Sequence, residues 1–139
     1  MKKILIAADV SPQTEKVILK GVELANNLNA QYAVVAVTDD SIVLPEGNFA
    51  TLPELLDNFR EQTKSFIKTI LDNNDLKPSE VFFESGNPAD IVIQTTSRWQ
   101  ADVLVVGTHG RSGLDRLLIG SVAEDIIRQS SVPVFVVKF

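Results

Sequence analysis

Short continuous apolar runs recur along the chain, and they do not alternate apolar with polar positions. Four runs are strong and one, Val81–Glu84, is weaker. A continuous apolar run of this length predicts a strand that is covered on both faces, as in a parallel sheet. The sequence therefore predicts five buried strands, which are Ile4–Ala8, Tyr32–Val37, Val81–Glu84, Val103–Val106 and Val132–Val137.

Amphipathic segments with recognisable starts separate these runs. The first begins at Ser11-Pro12, which predicts an N-cap followed by proline at the first helical position, and it continues to about Leu28. Three later helices are expected to open at the capping-box sequence Thr51–Glu54, at Asn87–Asp90 and at a second capping box, Ser121–Glu124. The alternating order of strands and helices indicates βαβ units and a three-layer, doubly wound parallel sheet.

Length and composition narrow the functional classes. A chain of 139 residues fits one domain, 1–139, and its net charge of −5 gives no attraction to nucleic acid or to an anionic membrane. Because there is no cysteine and only one histidine, His109, the sequence excludes thiolate catalysis and zinc sites built on cysteines or several histidines. No secretory segment and no apolar stretch of about 20 residues is visible, so we expect a cytoplasmic location.

The loop after the fourth predicted strand is the most informative stretch. Gly107, Gly110 and Gly113 are spaced along it, and it ends at Gly120-Ser121, where the fourth helix is expected to begin. Glycines permit positive φ and close approach of a ligand, and a helix N-terminus offers free N–H groups to an anion. This arrangement could bind phosphate groups, and the alternative is a loop that ends in an ordinary N-cap serine.

Charged residues and glycine spacing further define this loop. Arg111 and Arg116 would add positive charge, whereas His109 has no evident acidic or nucleophilic partner for catalysis. The loop is not a P-loop, because no Gly-Lys-Ser or Gly-Lys-Thr follows. The turn Ala8–Ser11 after the first strand contains no glycine, which disfavours a Rossmann dehydrogenase.

Asp9 ends the first predicted strand. If the sheet order is 3-2-1-4-5, the order reverses between strands 1 and 4, and ligands bind at such a reversal. The segments Ala8–Ser11 and Gly107–Gly110 would then face each other. The Asp9 carboxylate could accept hydrogen bonds from a sugar hydroxyl or an adenine amino group, or it could help to cap the first helix beside Ser11.

Four segments together resemble the universal stress protein family over nearly the whole chain. The resemblance rests on the opening Lys3–Ser11, the helix start Gly86–Ile91, the glycine spacing that ends at Gly120-Ser121, and the last run, Ser131–Val137. That glycine spacing is the ATP-binding signature of the family. Val10 departs from the pattern, because many members have glycine there.

The resemblance implies a Rossmann-like five-stranded parallel sheet of order 3-2-1-4-5, similar to that of adenine nucleotide alpha hydrolases. It also implies ATP, ADP or AMP as ligand, with Mg²⁺ possible beside ATP. Ala7–Asp9 and Val37 would lie by the adenosine, and Gly120–Val122 would bind phosphate. With Arg111 added for its charge, the expected site residues are Ala7, Ala8, Asp9, Val37, Val106, Gly107, Gly110, Arg111, Gly120, Ser121 and Val122.

Three functions follow as hypotheses. The first is an ATP-binding stress-response protein that acts as a homodimer, paired through the strand 132–138, on protein partners that the sequence does not identify. The second is a slow ATPase or nucleotide-transfer enzyme, although no Walker-type lysine or metal-binding carboxylate is evident beside the loop. The third is a nucleotide-free interaction module of the same fold.

Overall fold

Strands and helices alternate along residues 2–41, 51–108 and 120–138, which are the parts of the chain that the computed structural model describes. The predicted order of elements is confirmed within them. The elements are β1 (Lys3–Ala8), α1 (Thr14–Asn27), β2 (Gln31–Asp39), α2 (Leu52–Asn73), β3 (Glu80–Gly86), α3 (Pro88–Trp99), β4 (Val103–Gly107), α4 (Ser121–Gln129) and β5 (Val134–Val137).

The described strands form one parallel sheet of order β3-β2-β1-β4-β5, which confirms the predicted fold class. Successive residues of β1 point to opposite faces. Ile6 packs in the cluster that includes Ile18 of α1 and Ile67 of α2. Leu5 packs in the cluster that includes Val92 of α3 and Ile126 of α4. Both faces of the sheet are therefore covered, which explains the continuous apolar runs.

All five strands differ from the predicted runs at one or both ends, and the difference reaches two residues at the end of β2, the end of β3 and the start of β5. β2 extends two residues past Val37, because Thr38 pairs with Ser85 and Asp39 pairs with Gly86 of β3. β5 begins at Val134, two residues later than expected. Pro133 lies just before β5 and has no N–H to donate to a neighbouring strand. Its carbonyl nevertheless accepts a hydrogen bond from the Leu104 N–H of β4 at 3.0 Å.

The starts of α2 and α3 confirm the sequence prediction. At α2, the Thr51 side chain accepts from the Glu54 N–H at 3.3 Å, and the Glu54 side chain accepts from the Thr51 N–H at 3.2 Å. At α3, the Asn87 side chain accepts from the Asp90 N–H at 3.1 Å, and proline occupies the first helical position. These hydrogen bonds satisfy amide groups that the helix itself leaves without acceptors.

The start of α1 and the capping box of α4 were predicted wrongly, whereas α4 begins at Ser121 as expected. α1 begins at Thr14 rather than after Ser11, because the Ser11 hydroxyl accepts from the Gln13 N–H at 3.2 Å and closes a turn before the helix. At α4 the N-cap is Gly120, and Ser121 is the first helical residue, without a capping hydrogen bond from a side chain. Among the described helices, none is both long and apolar enough to cross a membrane.

Candidate functional site

The carboxyl ends of β1 and β4 meet where the strand order of the sheet reverses. Ile6 pairs with Val105, so the same register brings Ala8 level with Gly107 two residues further on. Gly107 in turn pairs with Val137 of β5. An open parallel sheet binds its ligands beyond this edge, so Asp9 and Thr108, the next residues along each strand, lie at the expected location.

Two backbone hydrogen bonds at Thr108 join the end of β4 to β5 and to the start of α4. The Thr108 N–H donates to the Val137 carbonyl at 3.0 Å, and the Gly120 N–H donates to the Thr108 carbonyl at 2.8 Å. Thr108 and Gly120, which flank the glycine-spaced loop, are therefore hydrogen-bonded to each other. The N-terminus of α4 consequently lies at the carboxyl end of β4. Gly110 and Arg111 of the expected site, with His109, Gly113 and Arg116, lie outside the described residues.

The first turn of α4 presents backbone N–H groups at this point. Its first intrahelical hydrogen bond runs from the Glu124 N–H to the Gly120 carbonyl at 2.9 Å, so the N–H groups of Ser121 and Val122 have no acceptor within the helix. Both residues are exposed. Among the described residues, no hydrogen-bond partner of the Ser121 hydroxyl is found. These groups, at the positive end of the helix dipole, can bind an anion.

The described glycines of the loop do not use positive φ, contrary to the interpretation of their spacing. Gly120 has φ −59° and ψ 154°, values that any residue adopts. Among the glycines that the structure describes, Gly86 at the end of β3 has positive φ, at 144°. The geometry leaves close approach of a ligand as the role for Gly107 and Gly120. It adds a positive φ at Gly86, which the sequence analysis names only as part of the helix start Gly86–Ile91.

Asp9 is exposed and accepts hydrogen bonds from two hydroxyl groups of its own turn. The Ser11 hydroxyl donates to Asp9 Oδ1 at 3.0 Å, and Thr14 Oγ1 lies 2.9 Å from the same oxygen and 2.6 Å from the Asp9 carbonyl oxygen. Asp9 therefore organises the turn before α1, although it accepts from side chains rather than capping backbone N–H groups. Sequence analysis missed Thr14, whose signal was a hydroxyl residue five positions after the aspartate.

The remaining predicted residues lie at the same edge and differ in burial. Ala8 and Val106 are buried, so a ligand could reach only their backbone. Ala7, Val37 and Gly107 are half-buried. Since Ala8 pairs with Ala36, Val37 stands level with Asp9 on the neighbouring strand. The structure thus brings together at one edge all the predicted site residues that it describes.

The titratable groups of the described residues form no cluster of three or more that could hold a metal ion. The nearest charge on α4 is Glu124, whose Oε1 lies 2.8 Å from Arg128 one turn later. Because both side chains are more than half exposed, this pair is largely screened by solvent. Within the described residues, the start of α4 therefore offers N–H and hydroxyl donors rather than a fixed cation.

The comparisons with known proteins agree over nearly the whole chain. The model of the Universal stress protein family matches residues 1–138. Universal stress protein MJ0531 of Methanocaldococcus jannaschii is 32% identical over 140 residues, which cover 99% of this chain and 82% of that protein. The solved structure of the protein MJ0577 is 28% identical with a TM-score of 0.82, covering 99% of this chain and 96% of that one.

A universal stress protein solved in complex with cAMP has the same fold. It is 23% identical with a TM-score of 0.69, and the likeness covers 98% of this chain and 96% of that one.

Proposed function

Because the chain belongs to the universal stress protein family, we propose that it binds an adenine nucleotide, ATP foremost, at the edge formed by β1, β4 and α4. The observation that carries this proposal is the 2.8 Å hydrogen bond from the Gly120 N–H to the Thr108 carbonyl. It holds the N-terminus of α4 at the point where the strand order reverses. Anion donors and a nucleoside acceptor, Asp9, therefore share one edge.

The phosphate half of the ligand is assigned to the start of α4. The N–H groups of Ser121 and Val122 and the Ser121 hydroxyl are the donors, whereas the Gly120 N–H is already engaged by Thr108. Gly107 and Gly120 supply backbone that a phosphate can approach closely. Gly110 is assigned to the phosphate half because it belongs to the glycine spacing of the family. Arg111 is assigned to it because of its positive charge.

The nucleoside half is assigned to the ends of β1 and β2. Asp9 carries an acceptor-only carboxylate, which suits a sugar hydroxyl or an adenine amino group. Half-buried Ala7 and Val37 offer apolar surface for the base. The cAMP complex of a universal stress protein with this fold supports an adenine nucleotide as the class of ligand.

Calorimetric titration of nucleotide-stripped protein with ATP, with and without Mg²⁺, tests the assignment. We expect about one site per chain and micromolar affinity. Ser121→Ala should weaken binding by about fivefold, since it removes one neutral hydrogen bond, and Gly120→Val with Ser121→Ala should weaken it further. Ser97→Ala is the matched control, because Ser97 is an exposed helical serine near the end of α3, at the opposite edge of the sheet.

Each contrary result indicates a different function. Unchanged ATP affinity in the Gly120→Val, Ser121→Ala protein would reject the site at α4. No binding at millimolar ATP would favour a nucleotide-free interaction module. Release of phosphate from ATP that requires Mg²⁺ would favour the slow ATPase.

We propose in addition that the protein acts as a homodimer paired through β5, with the nucleotide state read by protein partners. Among the described strands, none pairs with the outer edge of β5. The carbonyls of Pro133 and Val137 accept from β4, so by alternation the N–H and C=O groups of residues Val134 and Val136 point outward. Such an edge favours pairing with a second strand, and Phe135 beside it is 41% exposed.

A proline substitution tests the edge without disturbing the β4 ladder. Val136→Pro removes one outward N–H, and Val136→Ala is its control because it shortens the same side chain and keeps the donor. In analytical ultracentrifugation we expect the alanine variant to remain dimeric and the proline variant to shift toward monomer. A monomeric unsubstituted protein, or a proline variant that stays fully dimeric, would contradict pairing through β5.

A further inference from the structure

The two carboxylate oxygens of Asp9 have different surroundings. Oδ1 accepts from the Ser11 hydroxyl at 3.0 Å and lies 2.9 Å from the Thr14 hydroxyl. Among the described residues, none donates a hydrogen bond to Oδ2. Within the described parts of the chain, the carboxylate is thus hydrogen-bonded at Oδ1 and has no donor at Oδ2.

The single hydroxyl proton of Thr14 is shared between two acceptors of Asp9, its carbonyl oxygen and Oδ1. Thr14 Oγ1 lies 2.6 Å from the Asp9 carbonyl oxygen, and it accepts from the Ser11 N–H at 3.1 Å. The Thr14 side chain has no exposed surface, and it belongs to the first turn of α1, which packs on the sheet. Any motion of Thr14 relative to Asp9 would therefore require α1 to move against β1.

We propose that Thr14 and Ser11 are positioning residues that fix the Asp9 carboxylate and present Oδ2 to a donor on the nucleoside. This inference rests on the proposed nucleotide site, and it assigns to that site two residues that contact the ligand only through Asp9. The physical basis is preorganisation. An aspartate side chain otherwise rotates broadly about its terminal torsion, and a ligand must pay the entropy of ordering it.

A purely structural role for Thr14 predicts a different pattern of ATP affinities. A buried hydroxyl needs a partner, so its loss could weaken ATP binding by disturbing the turn as a whole. That effect would persist when the Asp9 carboxylate is absent. A positioning role acts through the carboxylate alone, so it would disappear with the carboxylate.

A double-mutant cycle separates the two roles. ATP affinity is measured by calorimetry for the unsubstituted protein, Thr14→Val, Asp9→Ala and the double variant, with Thr14→Ser as the conservative variant. We expect Thr14→Val to weaken ATP binding by about tenfold and Thr14→Ser to retain most of the affinity. In the Asp9→Ala background, Thr14→Val should change the affinity by less than about twofold.

Several results would overturn the inference. An equal loss on Thr14→Val with and without the Asp9 carboxylate would show a structural role, and so would failure of Thr14→Ser to restore binding. If the unsubstituted protein binds ATP and Ser121→Ala weakens it while Thr14→Val does not, the inference fails and the proposed function stands. If the unsubstituted protein binds no ATP, both fail together.

Ser11→Ala keeps the test decisive should Thr14→Val not fold, which circular dichroism would reveal. Ser11 is half-buried, so its truncation disturbs less packing. We expect a loss of about threefold in ATP affinity that is absent in the Asp9→Ala background. An equal loss in both backgrounds would overturn the inference here too.

Discussion

Gly21→Ala should destabilise this protein even though alanine is the better helix former. Gly21 lies in α1 and faces Ile6 of β1, which is fully buried. A Cβ at position 21 would lie 2.6 Å from both Cδ1 and Cγ1 of Ile6. Carbon atoms in contact prefer separations of about 3.5–4.0 Å, so α1 or Ile6 would have to shift.

Two opposing terms set the magnitude. Replacing glycine by alanine within a helix stabilises it by about 1 kcal/mol. Overpacking a well-filled core costs about 1–3 kcal/mol, and the upper part of that range applies because two atoms of a fully buried side chain are affected. The expected net loss is about 1–2 kcal/mol, or a fall in Tm of about 3–8 °C.

Urea unfolding followed by circular dichroism measures the change, and the Ile6→Ala background supplies the control. In that background both clashing atoms are gone, so Gly21→Ala should stabilise the protein by up to about 1 kcal/mol. The predicted outcome is thus a reversal of sign between the two backgrounds. If Gly21→Ala stabilises the otherwise unsubstituted protein, or has the same sign in both, the reasoning about this contact is refuted.

Three further predictions concern the turns and connections beside the sheet. Gly86→Ala should lower the free energy of unfolding by about 1–3 kcal/mol, because φ is 144° there and a Cβ would lie 3.0 Å from Ile91. An unchanged midpoint of urea unfolding would contradict this prediction. Asn87→Ala should cost about 1 kcal/mol through loss of the α3 N-cap, whereas Asn87→Asp should be nearly neutral in the same assay. Burial raises the pKa of Tyr32 above 10.0, against the opposing effect of the hydrogen bond from the Lys77 N–H. The stability from this shift is present below the unfolded-state pKa and is lost as pH rises through the folded-state pKa. Above about pH 10, the free energy of unfolding should therefore fall more steeply for the unsubstituted protein than for Tyr32→Phe. Parallel pH profiles would reject that account.

Local patterns in the sequence were enough to predict most of the strands and helices. The apolar runs predicted the strands because covering both faces of a parallel sheet removes the alternation seen in half-exposed strands. The α2 and α3 starts were predictable because their capping groups, such as Thr51 with Glu54, lie three residues apart. The family resemblance added the strand order, which the residues alone had left as an assumption, and the structure confirmed it.

The start of α1, the N-cap of α4 and the geometry of the site required the tertiary structure. Gly120 became the N-cap of α4 because its N–H is bound by Thr108, twelve positions earlier in the chain, beside β5. Thr14 acquired its place beside Asp9 because α1 docks on the sheet. Ser85-Gly86-Asn87-Pro88 marks a turn in the sequence, but only the structure shows that Gly86 has positive φ there. Periodicity and capping depend on neighbours within a few residues, so the sequence alone determined which elements form. Contacts between distant segments depend on packing, and only the tertiary structure decided which donors and acceptors meet at the edge of the sheet.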